Sequence, residues 1–284
     1  MFDIEMYLEK CKIEVEAELF KCLPAAGSCP AILGEAMTHA VKSGGKRLRP
    51  ILCLASAEAA AGRRSMAMFP ACAVELLHSY TLVHDDLPCM DNDLLRRGLP
   101  TVHAKYGEAI AVLAGDALLT LAFGILARTP LAGSTTMAQL VIELCRASGA
   151  AGVIGGQVED ISFADNPTPE AVRYVFEHKT GALFRAAARL GAMAADASPE
   201  SLRQLTTYAE HLGFAFQIID DILDADQAEA DDQPELSCLT IMSLADARAW
   251  AADHTRQAAE ALEDLPGDTA ALTAIVEMLL TRIS

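Results

Sequence analysis

Two clusters of aspartate dominate the chemistry open to this chain. The first reads Asp85-Asp86-Leu87-Pro88-Cys89-Met90-Asp91, the second Asp220-Asp221-Ile222-Leu223-Asp224. Carboxylates this crowded repel one another unless a cation neutralises them. Hard divalent cations take oxygen ligands, and Mg2+ commonly combines one or two carboxylates with the phosphate oxygens of a substrate. Two such clusters facing each other would make a Mg2+-diphosphate site. Asp220 and Asp224 stand at i and i+4 and share one helical face, whereas Asp221 points elsewhere. The plainer alternative is two solvated acidic helix ends.

The basic residues are few but grouped: Lys42, Lys46, Arg47 and Arg49, then Arg96 and Arg97, then Lys179 and Arg185. Such groups suit a small anionic substrate; the alternative for each is ordinary surface charge. Gly44-Gly45 lets backbone N–H groups approach a phosphate, and Lys46 and Arg49 add charge beside it. Arg47 is the member of this run least tied to a ligand. A net charge of −17 argues against nucleic acid as a partner, because that needs a basic surface.

Helices must position these groups. Each aspartate cluster follows an apolar, helix-like run, 74–84 and 212–219. Pro88 ends the first of these helices near Asp86, which leaves Asp85 and Asp86 at a C-terminus where the helix dipole disfavours negative charge. The chain has 284 residues, of which 52% are hydrophobic and only 5% aromatic, a composition that favours helix on helix over sheet. Helices are predicted over 3–21, 31–43, 50–61, 66–86, 101–107, 108–127, 135–148, 149–163, 169–177, 179–195, 199–224, 243–263 and 268–282. Breakers such as Gly44-Gly45, Gly98-Leu99-Pro100, Thr129-Pro130, Asn166-Pro167 and Pro266-Gly267 separate them. Ser198-Pro199 reads as an N-cap followed by Pro at the first helical position. No repeat and no linker divides the chain, so one domain over 1–284 is expected, with an exposed acidic loop over 226–234.

The stretch 109–127 is long and apolar enough for a membrane span. Asp116 near its centre argues for a core helix instead, and no transmembrane segment is expected. Cysteines number eight, with no Cys-x-x-Cys pair, and the first residues lack a secretory pattern. Reduced thiols in a cytoplasm are the expectation.

His84 to Asp91, with Arg96-Arg97-Gly98, resembles the first aspartate-rich motif of the isoprenyl diphosphate synthases. Phe216-Gln217-Ile218-Ile219-Asp220-Asp221-Ile222-Leu223-Asp224 resembles the second. Gly44-Gly45-Lys46-Arg47-Leu48-Arg49-Pro50 is similar to that family's isopentenyl diphosphate segment. Gly156-Gln157-Val158-Glu159-Asp160 and Lys179-Thr180-Gly181 match in the family's order. The likeness, strongest to bacterial farnesyl diphosphate synthases, runs from Gly34 to Asp224 and weakens beyond. It implies an all-α, single-domain bundle of about 12–13 helices around a deep central cavity. It also implies a homodimer that joins isopentenyl diphosphate to an allylic diphosphate.

By that likeness Asp85, Asp91 and Asp220 hold Mg2+, about three ions with the bound diphosphate, while Asp86 and Asp224 act through metal-bound waters. Arg96 and Lys179 bind the allylic diphosphate. Thr180 and Gln217 turn their oxygens toward a carbocation, and Gln157 braces the wall. Arg97 and His78 complete the isopentenyl site begun by Gly45, Lys46 and Arg49, although His78 also reads as a satisfied core histidine. Tyr80 and Thr81 lie about 6–7.5 Å below Asp85 along the helix, roughly one five-carbon unit, and Thr81 shares the Asp85 face more closely by helical angle; the family's product-length position is that of Tyr80. A bulky residue there goes with a fifteen-carbon product in the family and smaller ones with twenty carbons, so farnesyl diphosphate is expected over geranylgeranyl diphosphate. Tyr80 as a plain core aromatic is the alternative.

The pattern fails in one place. No Lys or Arg occurs between Arg203 and Arg248. The family normally has Gly-Lys after the second motif and another Lys before a Thr-Tyr-Pro. Here those places read Gln227-Ala228-Glu229-Ala230-Asp231-Asp232-Gln233-Pro234-Glu235 and Ser237-Cys238-Leu239-Thr240-Ile241-Met242. One lost charged contact costs about 1.5–3 kcal/mol. A slower synthase, one with a different allylic substrate or acceptor, and a non-catalytic partner subunit all fit that loss. A Mg2+-dependent terpene cyclase is a further rival, but a cyclase needs no isopentenyl site.

Overall fold

A computed structural model of the chain describes residues 2–163, 167–225 and 236–282. The acidic loop expected over 226–234, and Asn166 of one breaker, lie outside the described residues.

Among the described residues thirteen α-helices follow in order: α1 (Ile4–Cys22), α2 (Ala31–Lys42), α3 (Leu48–Ala59), α4 (Met68–Asp85), α5 (Val102–Tyr106), α6 (Glu108–Leu126), α7 (Met137–Ser148), α8 (Val153–Phe163), α9 (Pro169–Val175), α10 (Ala182–Ala194), α11 (Pro199–Ala225), α12 (Leu244–Glu260) and α13 (Ala270–Thr281). The all-α bundle read from composition is what forms. Local chemistry sets the ends. α4 stops at Asp85, three residues before Pro88. The Ser198 hydroxyl accepts from Ser201 N at 3.1 Å, so the predicted cap opens α11 with Pro199 at its first position. α3 departs from expectation. It begins at Leu48, not at Pro50, because Arg47 adopts a left-handed conformation (φ 51°) that starts the helix early.

At the centre, α4 packs on α6, α3 and α10, and α10 packs on α3 and α11. Leu52, Leu76, Leu77, Phe184 and Tyr208 are sealed from solvent there. Burying a side chain of this size contributes about 1.5–3 kcal/mol. The helices that carry the aspartate clusters, α4 and α11, are therefore both anchored in the core.

Arg47 explains why it stood apart among the basic residues. Its side chain turns inward and is only 4% exposed. It donates to Glu75 at 2.6 Å, to Glu16 at 3.1 Å and to the Val41 carbonyl at 2.7 Å. Three helices besides its own, α1, α2 and α4, are thus tied to one guanidinium. Removing one member of such a buried pair costs about 3–5 kcal/mol.

Two features escaped the sequence reading. Leu95–Arg96 and Leu99–Pro100 form a two-strand hairpin, with Arg96 opposite Leu99. Its turn residues, Arg97 and Gly98, both have positive φ (54° and 77°), the twist that tight hairpins prefer. Between α9 and α10 the rod continues without a break through a π-helical turn, Phe176–Gly181.

By length and composition alone, three helical stretches among the described residues are apolar enough to cross a membrane: 64–85, 108–126 and 137–163. The apolar window of the first is 72% buried, those of the other two only 39%. The core helix expected over 109–127 is therefore half met. Its Ala114, Gly115 and Leu118 are buried, but Val112 and Leu113 face outward.

Candidate active site

The first aspartate cluster sits where α4 ends. Burial raises the Asp85 carboxyl to about 7; Lys179 opposes the shift, and Asp91 and Asp86 add to it. Asp91 is raised for the same first reason, burial, with Lys179 again the main opposing charge. Both carboxylates thus face Lys179 from the π-helical turn. Lys179 itself is held by Asp160 of α8 at 2.5 Å. Gly156 makes this approach possible: a Cβ there would stand 2.2 Å from the Lys179 backbone nitrogen.

Asp86 is placed differently from its neighbours. It is 3% exposed and bound to Arg96 Nε at 2.5 Å, while Arg96 also reaches Asp93 at 3.2 Å. The hairpin delivers that arginine back onto the helix end. Asp86 thus orients Arg96 in this state.

On α11 the second cluster divides as its spacing predicts. Asp221 is buried and accepts from Gln217 Nε2 at 3.0 Å and from the Cys238 backbone N–H at 2.7 Å. Asp220 is half-buried and Asp224 exposed. Gln217 Oε1 in turn accepts from the Thr180 hydroxyl at 2.6 Å. These bonds use the one donor of the Thr180 hydroxyl and one of the two N–H groups of Gln217, so Thr180 is left with acceptor oxygen alone and Gln217 keeps a free lone pair on Oε1. That suits a carbocation.

The second anion site is a pocket of arginines without enough acceptors. Arg49 Nε is buried with no hydrogen-bond partner among the described residues. Burial lowers the Arg49 guanidinium to about 10, against the pull of Glu75 and Asp220, and it stacks 4.8 Å from the Phe184 ring centre. His78 approaches it at 3.4 Å. Burial first, and then Arg49, Arg97, Arg47 and Arg96, hold the His78 imidazole well below its usual range, so it stays neutral. Arg97 donates to the Gly44 carbonyl. At Gly45 (φ 129°) a Cβ would lie 2.5 Å from Arg97 Nη1, so only glycine lets the arginine close over the loop. Lys46 is exposed and close enough to Asp220 to act on its carboxyl. A buried guanidinium with an N–H left without an acceptor, as at Arg49 Nε, is costly unless an anion completes it.

Whether the residues suit Mg2+ follows from the donor set. The donors are all carboxylate oxygens, and burial with mutual repulsion already strains Asp85 and Asp91. Among the described residues no three His, Cys, Asp or Glu side chains converge into a closed cage. An ion here would take one or two carboxylates and complete its shell from water and diphosphate, which is the habit of Mg2+. The residues fit.

The groups Gly45, Arg49, His78 and Arg97 are thus brought together, as are Asp85, Asp91, Lys179 and Asp160, and Thr180, Gln217 and Asp221. Tyr80 is 5% exposed, and its ring meets His84 edge-on with centres 5.4 Å apart. Two surface clefts lie elsewhere: one of about 510 Å3 beside Arg173 and Trp250, another of about 490 Å3 between Pro24 and Tyr106. Sequence reasoning missed Asp160 as the partner of Lys179, Glu75 as the anchor of Arg47, and Arg282, which pairs with Asp220. The first was within reach, since Asp160 closes the motif Gly156-Gln157-Val158-Glu159-Asp160; the others had no local signal.

The resemblance, which gives Arg49 and Arg97 to isopentenyl diphosphate and Lys179 to the allylic partner, predicts a kinetic division. On that expectation Arg97→Gln and Arg49→Gln should raise the Michaelis constant for isopentenyl diphosphate by about tenfold or more, and Lys179→Gln that for the allylic partner. Steady-state kinetics with each substrate varied in turn measures this. Equal effects on both constants would remove the division.

A family model described as polyprenyl synthetase matches residues 30–237. Farnesyl diphosphate synthase of Escherichia coli (strain K12) is 41% identical over 296 aligned residues, covering 99% of both chains. Geranylgeranyl diphosphate synthase of Cyanophora paradoxa is 42% identical over 226, covering 78% of this chain and 75% of that one. Among solved structures, an FPP/GFPP synthase from Zymomonas mobilis superposes with a TM-score of 0.87 at 34% identity, covering 98% of each chain. A geranyltransferase from Legionella pneumophila gives 0.88 at 31%, covering 98% of this chain and 96% of that one.

Proposed function

This chain is a prenyltransferase of the polyprenyl synthetase family, and from that premise we propose that it condenses isopentenyl diphosphate with dimethylallyl or geranyl diphosphate to give farnesyl diphosphate. In the reaction the allylic C1–O bond breaks and diphosphate leaves. The double bond of isopentenyl diphosphate closes on C1, and a proton departs to the released diphosphate. Bound Mg2+, about three ions, supplies charge neutralisation of that leaving group. Asp85, Asp91 and Asp220 are the residues that would hold it, with Asp224 beside Asp220 on one face of α11, while Asp86 positions Arg96. Lys179 and Arg96 draw the leaving diphosphate, and the acceptor oxygens of Thr180 and Gln217 stabilise the cation. Arg49, Arg97, Lys46 and the Gly45 loop hold isopentenyl diphosphate, with neutral His78 propping Arg49.

The buried Tyr80 ring, just over one turn below Asp85, is the observation that carries the product assignment. Geranylgeranyl diphosphate is the second reading, favoured by the relative from Cyanophora paradoxa. Pure protein is incubated with Mg2+, isopentenyl diphosphate and each allylic diphosphate, and products are separated by chain length. Fifteen carbons is the expected major product. Twenty would replace this reading with the second, and none at all would leave a non-catalytic subunit.

The half-open apolar helices favour a homodimer over a membrane span. Val112 and Leu113 of α6 and Ile154, Val158 and Ile161 of α8 are exposed, and a second copy would cover them. Light scattering in detergent-free buffer should give twice the 30.2 kDa chain mass. A monomer mass would sink the assignment. All eight cysteines are free, in keeping with a reducing cytoplasm, which cell fractionation would test.

A further inference from the structure

The second aspartate cluster has a cation that residue order conceals. Arg282, at the far end of α13, donates from Nη1 to Asp220 Oδ1 at 2.9 Å. Its guanidinium carbon lies 6.0 Å from the centre of the Phe216 ring, one turn before Asp220 on the same helix. Neither partner is loose in solvent: their side chains are 27% and 29% exposed. α13 is itself pinned. Leu272, Ile275 and Leu279 are buried, and the Tyr208 hydroxyl of α11 donates to the Leu272 carbonyl at 2.9 Å. Arg282 is therefore delivered to α11 by a packed helix.

The pairing has two sides. A carboxylate oxygen occupied by a guanidinium is withheld from a metal ion, so Arg282 and a divalent cation compete for Asp220. A diphosphate, in contrast, offers a guanidinium better acceptors than one carboxylate does, because the planar fork of arginine matches phosphate oxygens. The need for such a cation is acute here, since no Lys or Arg lies between Arg203 and Arg248.

We propose that Arg282 is a direct ligand of the allylic diphosphate, stationed on Asp220 in the free protein and passed to a diphosphate oxygen when Asp220 turns to metal. The proposal rests on the prenyltransferase reading. It makes one residue oppose metal alone and favour metal with diphosphate, a pair of opposite effects that simple loosening of α13 would not produce.

The test uses the full chain and the variants Arg282→Gln and Arg282→Lys. Free Mn2+ is followed by electron paramagnetic resonance in a titration without diphosphate. Inorganic pyrophosphate binding in saturating Mg2+ is measured by calorimetry, and Michaelis constants are taken for both substrates. Arg282→Gln should bind Mn2+ alone about threefold tighter or more. It should bind pyrophosphate about tenfold more weakly and raise the allylic Michaelis constant in step, with the isopentenyl constant unmoved. Arg282→Lys, which keeps the charge, should recover most of the pyrophosphate affinity. Unchanged constants in Arg282→Gln, or a parallel weakening of both Mn2+ and pyrophosphate, would overturn the proposal. If the unaltered protein itself bound no pyrophosphate with Mg2+, the prenyltransferase mechanism would fall with it, which separates the two failures.

Discussion

Asp85→Ala and Asp220→Ala each lower turnover by about a hundredfold or more, equivalent to about 2.7 kcal/mol of lost transition-state stabilisation. The helices stay intact, because neither side chain supports the core. Asp85 in fact works against the fold. Its carboxyl is raised to about 7, chiefly by burial, so the native state holds its proton over a range where the unfolded chain has released it. The sign follows. A folded value above the unfolded 3.8 means that Asp85 costs stability as pH climbs from about 4 to about 7, and the full cost is present above that range. Removing it should therefore leave the metal-free protein at least as heat-stable at pH 7.5 while turnover collapses. Far-ultraviolet circular dichroism, a thermal melt and an initial-rate assay check the three parts. Near-normal turnover in either folded variant would refute the metal assignment.

Tyr80→Ala changes what the enzyme makes rather than whether it works. The ring is buried on α4, edge-on to His84 and just over one turn below Asp85. Its loss opens about one more five-carbon unit of depth, and the product should move from fifteen carbons toward twenty or more. No metal or diphosphate ligand is touched, so condensation persists. If the ring only packs, the truncation costs about 3–5 kcal/mol of stability and leaves product length alone. Product chromatography beside a melting curve tells these apart. An unchanged product with a lowered melting temperature would dismiss Tyr80 as the floor.

What the sequence made legible follows the range of the forces involved. The helices were readable because Gly and Pro punctuate apolar runs at short range, and Pro88 ended α4 where it should. The division of Asp220 from Asp221 was readable because four-residue spacing is a property of one helix. The hairpin at Leu95–Pro100 was not, since each strand has only two residues and no alternation to show. The π-helical turn was hidden because an extra residue leaves composition unchanged. Arg47 and Arg282 were hidden for a different reason. Their partners, Glu75 and Asp220, are brought to them only by helix packing, and a charge gives no sign in sequence of whether it faces inward. The same limit applies to Asp86, which is paired to Arg96, whereas the main cation acting on its neighbour Asp85 is Lys179.

The turn at Phe176–Gly181 also makes the length of the chain matter at this point. A helix advances by about 100° per residue, so one residue added or removed there would rotate everything on one side of it against everything on the other. Lys179 and Thr180 would then no longer meet Asp160 and Gln217, although every residue type was kept. At this point the register of the chain is itself a functional character. A substitution scan would find Lys179 and Thr180, but only a single-residue deletion would reveal that the spacing between α9 and α10 must be kept as a whole.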